Sequence, residues 1–439
     1  MTDCQRLEVP LNYSSPESET ISLFVRTVPA KVPKQRAILL LAGGPGESGA
    51  SFYAELGFFQ ATFPEFDLII PDHRGTGYST KLCEPEENVS SVGGVNLVGD
   101  EWGTCFGALY ANLARTHAFN LDNAAQDVAS IINGLALEGE IYLYGVSYGT
   151  SLALAVAERT DAKVSGLILD SLTPLPGDAK NDLSHRSHIT DQVGQVVLQR
   201  CAQDTACPLG EGAQAIYAEL LSRIDAGEMV SGLSAVPNGD LRQFLGLLLD
   251  VPPARQQIPA LIAAMAASDE AAEQRVEALT EIYEAFWSQL LSFEQAPMSI
   301  PLSAVMSGSE FNARKALTSE QVEIEKAEFG FASPLPDLLA SSGFPFYEPA
   351  QPVTHKTVLP PMLVMQGTLD PKTPYRTALD RVEYLRERAE VSVLTLNDAP
   401  HAAYLTAQDC LGLPLQAFVD GKTIPTEADC TASEASLSW

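Results

Sequence analysis

Three short, mostly apolar runs, each followed by a loop rich in glycine or proline, constrain the fold of this chain most strongly. They cover residues 37–41, 66–70 and 141–144. Such runs are typical of strands in a sheet that is covered on both faces. Apolar residues recur at helical spacing over 123–135 and 151–158. Strands that alternate with helices in this way predict an α/β fold with a mainly parallel sheet.

The chain divides into three predicted segments. The first, 1–175, opens with an alternating pattern at 6–26 that predicts a pair of strands. The second, 176–350, is rich in Ala, Leu, Glu and Gln at helical spacing and contains no convincing buried strand, which predicts an inserted helical cap. The third, 351–439, restores the strand–helix pattern and ends in a cysteine-bearing segment.

Composition excludes several classes of protein. A chain of 439 residues with 46% hydrophobic residues is neither disordered nor a single small binding module. Its net charge of −29 repels phosphate backbones and anionic lipids, so we expect no nucleic-acid or membrane-surface partner. No apolar run approaches the ~20 residues of a membrane span. The acidity fits either solubility in a salty medium or attraction of a cationic substrate.

The seven cysteines carry information about the compartment. None forms a CxxC pair or a cluster with histidines, so we expect no metal site, and nothing in the sequence calls for a cofactor. Six of them form sequence-neighbouring couples that are candidate disulfides: Cys83 with Cys105, Cys201 with Cys207, and Cys410 with Cys430. Buried reduced thiols are the alternative. Cys4 is left over, and one hypothesis is that its partner lay in a removed upstream segment.

The first residues of the chain lack the apolar core of a signal peptide. The sequence therefore describes either a cytoplasmic protein or a trimmed mature form. Because oxidised cysteine couples persist outside the cytoplasm, we expect a periplasmic or secreted protein, with a cytoplasmic one as the alternative.

A Gly-Val-Ser-Tyr-Gly run at 145–149 lies between a predicted strand and a predicted helix. This context forces Ser147 onto a sharp turn, where bulky neighbours would clash, and is typical of a serine nucleophile. The N–H of Tyr148, at the helix N-terminus, is then a candidate donor to a developing oxyanion. An ordinary glycine-rich turn is the alternative.

A serine nucleophile needs a base and an acid that orients the base, in the chain order Ser, Asp, His. Asp370 and His401 each follow a predicted strand, and His401 is the one histidine of six that comes after this acid. The alternatives are a turn-capping aspartate before Pro371 and an ordinary histidine. A second oxyanion donor is expected from the small-residue loop at 43–46, with Gly44 favoured and Gly43 as an alternative.

Four motifs together resemble the α/β-hydrolase-fold proline iminopeptidases, and most closely their tripeptidyl-aminopeptidase-like branch. They are Ala-Gly-Gly-Pro-Gly at 42–46, Asp-His-Arg-Gly-Thr-Gly-Tyr-Ser at 72–79, Gly-Val-Ser-Tyr-Gly-Thr at 145–150 and Gly-Thr-Leu-Asp-Pro-Lys-Thr-Pro at 367–374. The resemblance implies an α/β-hydrolase fold with a helical cap and, in many relatives, export. It also implies a serine peptidase acting on free amino termini, with Ser147, Asp370 and His401 as its triad.

Two positions depart from the family pattern. Ala42 stands where the family usually has histidine, which removes a side chain that orients the loop but no backbone donor. The segment at 307–310 looks like the family's Cys-Ser-Glu segment with Gly308 at the cysteine position. Glu310 is thereby a candidate to meet the substrate ammonium.

An aminopeptidase needs carboxylates that hold the substrate's NH3+ group. Glu310 and Glu47, which follows the oxyanion loop, are the candidates, and Trp287 is a candidate apolar wall. Solvated carboxylates and a core tryptophan are the alternatives.

These observations favour a serine exopeptidase that releases proline or a short peptide from a free peptide N-terminus. A carboxylesterase or other acyl hydrolase with the same triad is the first alternative, because fold and triad do not determine the leaving group. An inactive, hydrolase-like binding protein is the second.

Overall fold

The computed structural model of the protein describes residues 2–439 except 16, 18, 136, 176, 342, 350–357 and 423. The described residues contain one nine-stranded sheet. Its strands are β1 (Asp3–Pro10), β2 (Thr20–Val28), β3 (Arg36–Leu41), β4 (Phe66–Asp72), β5 (Ile141–Val146), β6 (Gly166–Asp170), β7 (Met362–Gly367), β8 (Val391–Asn397) and β9 (Glu427–Thr431).

The strand order across the sheet is β1-β2-β4-β3-β5-β6-β7-β8-β9. The pairs β1–β2 and β2–β4 are antiparallel, and every later neighbouring pair is parallel. The predicted opening pair of strands and the mainly parallel sheet are both confirmed. Because parallel strands end at the same edge, the loops after β3, β5, β6, β7 and β8 share one side of the molecule.

Helices connect and cover the strands. Before β6 they are α1 (Leu56–Thr62), α2 (Glu101–Ala111), α3 (Leu113–His117), α4 (Leu121–Gly134) and α5 (Tyr148–Arg159). Between β6 and β7 they are α6 (Arg186–Gln203), α7 (Ala213–Asp225), α8 (Leu241–Leu248), α9 (Pro252–Arg255), α10 (Ile258–Ala266), α11 (Ala271–Leu290), α12 (Ile300–Glu310), α13 (Ser319–Ala327) and α14 (Leu335–Ser341). After β7 they are α15 (Tyr375–Arg386), α16 (Ala403–Thr406) and α17 (Gln408–Val419).

Strand β3 shows why the apolar runs form a doubly covered sheet. Leu39 packs into a cluster with Val128 and Leu152 on one face, whereas Leu40 packs with Phe59 on the other. Side chains alternate between the two faces of a strand. Burying each large apolar side chain contributes about 1.5–3 kcal/mol. Replacing either leucine with a polar residue would therefore remove a large part of the domain's free energy of unfolding.

The helices between β6 and β7 have a hydrophobic cluster of their own, which includes Val197, Leu245 and Leu261. α12 differs from them, since its Leu302 and Val305 pack into the cluster of the sheet. The division into 1–175, 176–350 and 351–439 stays a proposal. Its boundary residues 176, 350 and 351, like His355, lie outside the described residues.

Three disulfides join the predicted couples, Cys83–Cys105, Cys201–Cys207 and Cys410–Cys430. Cys4 is exposed and unpaired. The bond between Cys410 and Cys430 ties β9 to α17. In the part of the chain that the structure describes, no helix has the length and apolar character needed to cross a membrane.

Candidate active site

Ser147 lies on a sharp turn between the end of β5 and the start of α5. Its φ of +54° and ψ of −120° are outside the regions that residues with side chains ordinarily occupy. A β-carbon on Gly145 would come within 2.2 Å of the Gly149 carbonyl oxygen, and one on Gly149 within 2.2 Å of the Leu41 carbonyl oxygen. Both flanking glycines are therefore required, as the sequence motif predicts.

The loop that carries His401 is held against the same end of the sheet. The Ser147 N–H donates to the Asp170 carbonyl oxygen over 3.0 Å. The Asp170 carboxylate in turn accepts the Ala403 N–H over 2.8 Å. Since Asp170 ends β6, the neighbour of β5, this one residue holds the serine turn and the histidine loop side by side.

Asp370 and His401 form a hydrogen-bonded pair. The Nδ1 atom of His401 lies 2.8 Å from Oδ2 and 3.0 Å from Oδ1 of the buried Asp370 carboxylate. An Nδ1–H facing this carboxylate leaves the Nε2 lone pair as the base. Among the described residues no hydrogen bond joins Ser147 Oγ to His401, as is common before a substrate is bound.

The turn after β7 holds Asp370 in its charged form. Its carboxylate accepts the N–H of Lys372 over 2.8 Å, and both the N–H (2.8 Å) and the hydroxyl (2.6 Å) of Thr373. Burial raises the pKa of Asp370, but the charge of His401 and these hydrogen bonds outweigh burial and leave it below its ordinary value. The contact of Thr373 with Asp370 was not predicted from the sequence. The position of Thr373, three residues after the acid in a capping turn, could have indicated it.

Gly44 and Tyr148 flank Ser147 along one cavity. Gly44 has a φ of +103°, and a β-carbon there would come within 2.6 Å of the Gly46 nitrogen. Gly43 also approaches closely, since a β-carbon on it would lie 3.3 Å from Cβ of Ser147. Neither the Gly44 N–H nor the Tyr148 N–H donates a hydrogen bond to another described residue. Both N–H groups are therefore available to an oxygen atom beside Ser147.

The cavity has a volume of about 680 Å³, within the range of about 300–1,000 Å³ that is usual for small-ligand sites. Thr373, which contacts both Asp370 and His401, lines it together with Ser147. α12 borders the cavity with Ser309 and Glu310. At the other end of this helix, the N–H of Ser299 donates to the Gly46 carbonyl oxygen over 2.9 Å.

Glu310, at the end of α12, lines the same cavity. Its Oε1 accepts the Leu121 N–H over 2.8 Å and the hydroxyl hydrogen of Tyr347. Burial raises the pKa of Glu310, and the hydrogen bonds from Tyr347 and Leu121 oppose that rise. Tyr347 was not identified from the sequence as a hydrogen-bond partner of Glu310.

Glu47 and Trp287 are not among the described residues that line the cavity. Glu47 lies beside the loop at 43–46, with its Oε2 3.1 Å from the position of a β-carbon on Gly43. The Trp287 ring is 5.3 Å from Nζ of Lys372, which does line the cavity. Trp287 is therefore next to a residue that lines the cavity but does not line it itself.

No group of three or more His, Cys, Asp or Glu side chains in the described part of the chain is placed to hold a metal ion.

Comparison with known proteins identifies a matching family and several relatives with hydrolase or peptidase names. A family model described as the alpha/beta hydrolase fold matches residues 36–408. A protein named serine protease Hip1, from Mycobacterium tuberculosis, is 25% identical over 468 aligned positions that cover 97% of this chain and 87% of the relative. A tripeptidyl aminopeptidase from Streptomyces lividans is 26% identical over 191 positions, 38% of this chain and 35% of the relative.

Among solved structures, a proline iminopeptidase from Mycobacterium smegmatis aligns with a TM-score of 0.42 and 13% identity, covering 95% of this chain and 98% of that one. The family match extends from β3, the first parallel strand, to the histidine loop and the start of α17. With the parallel sheet and the serine turn already described, it establishes that this chain belongs to the alpha/beta hydrolase fold family.

Proposed function

We propose that this protein is a serine exopeptidase that releases proline or a short peptide from the free amino terminus of peptides. The observation that carries the proposal is the Asp370–His401 hydrogen bond, held at the same end of the sheet as the strained turn of Ser147. The names of two relatives, serine protease and tripeptidyl aminopeptidase, support a peptide substrate.

In the proposed mechanism, Oγ of Ser147 attacks the scissile carbonyl carbon while Nε2 of His401 takes the hydroxyl proton. The Asp370 carboxylate stabilises the resulting imidazolium through Nδ1–H. The carbonyl oxygen becomes an oxyanion, and the N–H groups of Gly44 and Tyr148 donate to it. The strained turn contributes because it fixes the serine beside these donors before substrate arrives.

When the tetrahedral intermediate collapses, His401 returns the proton to the leaving amine and the C–N bond breaks. An acyl ester on Ser147 remains. Water then attacks this ester while His401 takes a proton from the water. The bond between the acyl carbon and Oγ breaks, His401 returns the proton to Oγ, and the amino-terminal fragment of the substrate leaves as the free acid.

We further propose that the helices between β6 and β7 act as a cap and that the protein works outside the cytoplasm. α12 supports the first statement, because it extends from the Gly46 contact to Glu310 in the cavity. The three disulfides support the second, since such bonds persist in oxidising compartments.

Matched chromogenic peptide amides of one to three residues, with free or acylated amino termini, test the proposed activity. We expect kcat/KM to be about 100-fold higher for the free-amine members, because a charge-assisted contact to the ammonium is lost on acylation. Initial rates are measured with Ser147→Ala as the blank.

Equal cleavage of acylated and free substrates, or hydrolysis of simple esters alone, would replace the exopeptidase by a general acyl hydrolase. Failure of Ser147 to react with a fluorophosphonate probe would favour an inactive binding protein.

The Glu310→Gln variant is expected to raise KM for free-amine peptides by about 10- to 100-fold and to spare the hydrolysis of simple esters. Glutamine can still accept hydrogen bonds from Leu121 and Tyr347, so the variant removes the charge and little else. KM is measured for both substrate types, with exposed Glu281→Gln as the matched control.

The pH dependence of KM gives a second readout of the role of Glu310. Because the pKa of Glu310 is raised by burial, lowering the pH protonates this carboxyl group sooner than a free one, and KM for free-amine peptides should rise. The glutamine variant should lack that part of the pH profile. Unchanged peptide kinetics in Glu310→Gln would remove Glu310 from the site.

A further inference from the structure

Arg186, the first residue of α6, lines the cavity together with Ser147. Its guanidinium group has no hydrogen-bond or ion-pair partner among the described residues. Its Nε atom is buried and has nothing to donate to. Because the Arg186 side chain is only partly exposed to water, its unpaired charge is costly to the folded protein, and a ligand in the cavity that supplied an acceptor would reduce this cost.

The other cations that line this cavity differ from Arg186, because each has an acceptor. Arg159 binds Asp122, Lys372 binds Asp250, Arg381 binds Thr173, and Lys315 binds the carbonyl oxygens of Gly308 and Ser309. The chain carries 56 acidic residues against 27 Lys and Arg. A shortage of carboxylates therefore does not explain why Arg186 has none.

Arg186 and Glu310 lie in different parts of the cavity. One turn after Arg186 on α6, the hydroxyl of Thr190 lies 3.5 Å from the carbonyl oxygen of Pro371, the residue next to Asp370. Glu310 instead contacts Leu121 and Tyr347. In the proposed mechanism the leaving amine receives its proton from His401, the partner of Asp370. In that mechanism Arg186 would therefore lie on the leaving-group side of Ser147, and Glu310 on the side of the amino terminus.

We propose that Arg186 binds a carboxylate on the leaving-group part of the substrate, so that the enzyme prefers short peptides with an ammonium at one end and a carboxylate beyond the scissile bond. This inference rests on the proposed exopeptidase function. The planar guanidinium matches a carboxylate in bidentate geometry. Two sources have this chemistry: the free C-terminus of a short peptide, or an acidic side chain next to the scissile bond.

Three peptides with the same amino-terminal part separate these sources. The first ends in a free carboxylate, the second in a C-terminal amide, and the third in an amide but with an acidic side chain directly after the scissile bond. We expect wild type to cleave the first with a kcat/KM about 10- to 100-fold above the second. If the side chain is the source, the third peptide will have this advantage instead.

Arg186→Gln should remove the preference, so that the variant cleaves the carboxylate peptide and the amide peptide with the same kcat/KM. Arg186→Lys should keep part of the preference, because it retains the charge but loses the bidentate geometry. Arg275→Gln, an exposed arginine on α11, is the matched control and should behave like wild type.

A measurement on wild type alone keeps the test independent of folding in the variants. Leaving-group peptides with a free carboxylate should inhibit cleavage of a chromogenic amide more strongly, by about tenfold or more, than the same peptides as amides. If the acidic side chain is the source, peptides that carry it should have that advantage instead.

Equal cleavage of all three peptides, or an unchanged preference in Arg186→Gln, would overturn the role of Arg186 even if free amino termini are still required. Loss of the free-amine requirement itself would instead contradict the proposed function. The two failures are therefore distinguishable in the same set of assays.

Discussion

The Asp370→Asn variant is expected to lose about 10,000-fold in kcat while it remains folded. The asparagine carbonyl oxygen can still accept the N–H groups that Lys372 and Thr373 give to the aspartate. Its NH2 group, however, would face Nδ1 of His401, whose N–H donates to the Asp370 carboxylate over 2.8 Å in the wild type. The ring would then carry its proton on Nε2, where the proposed mechanism needs a base.

The loss should be measured as kcat on a free-amine chromogenic peptide, with thermal unfolding as the check on folding. Ser147→Ala should be at least as inactive, and the Ser147→Ala/Asp370→Asn double variant no worse than Ser147→Ala, because the residues of a triad act as a unit. The exposed Asp161→Asn change is the matched control. A kcat for Asp370→Asn within tenfold of wild type would refute the assignment.

The Arg74→Met variant is expected to lower the free energy of unfolding by about 3–5 kcal/mol, because it leaves a buried carboxylate without its partner. Nε and Nη2 of Arg74 lie 2.6 and 2.7 Å from the two carboxylate oxygens of Asp127, and both side chains are almost completely buried. Nη1 also donates to the carbonyl oxygens of Leu11 (2.6 Å) and Ala118 (2.8 Å). One side chain thus joins the start of the sheet to the segment before α4.

The pH dependence of this loss has a definite sign. Burial already raises the pKa of Asp127, and the charge of Arg74 opposes that rise. Without Arg74 the folded-state pKa rises further above the unfolded value, so the folded variant binds its proton more tightly. Its stability relative to wild type should therefore fall as the pH rises from the folded-state pKa of Asp127 in wild type through the higher one in the variant, and the loss should be smallest in acid.

Urea unfolding of wild type, Arg74→Met and Arg74→Met/Asp127→Leu checks this prediction. The double variant should recover part of the loss, because no buried charge remains, although the carbonyl oxygens of Leu11 and Ala118 still lack their donor. The exposed Arg275→Met change should stay within about 0.5 kcal/mol of wild type. A loss below about 1 kcal/mol in Arg74→Met would mean that the pair contributes little to stability.

Several parts of the architecture could be predicted because their signals are local. The apolar run of β5, the glycines at 145 and 149 and the helical pattern after them lie within 20 residues and together require the turn at Ser147. The disulfides join cysteines that are close in sequence. For Asp370 and His401, position after a strand was enough to select two residues that the structure joins by a hydrogen bond.

Strand β9 was not predicted, and its sequence explains why. Glu427–Thr431 is mostly polar and half-exposed at the edge of the sheet, so it lacks the apolar pattern of the other strands. Its pairing with β8 and the bond from Cys430 to Cys410 on α17 hold it in place. Both contacts depend on elements elsewhere in the chain rather than on local propensity.

The sequence by itself determined the fold class, the serine turn and the candidate acid and base, because periodicity, glycine sterics and strand ends are properties of neighbouring residues. Only the tertiary structure decided which charges are paired. Glu310 meets an N–H 189 residues away at Leu121, Lys372 pairs with Asp250, and Arg186 faces the cavity with no described partner. Such contacts depend on how helices from distant segments pack against the sheet, which residue spacing does not encode.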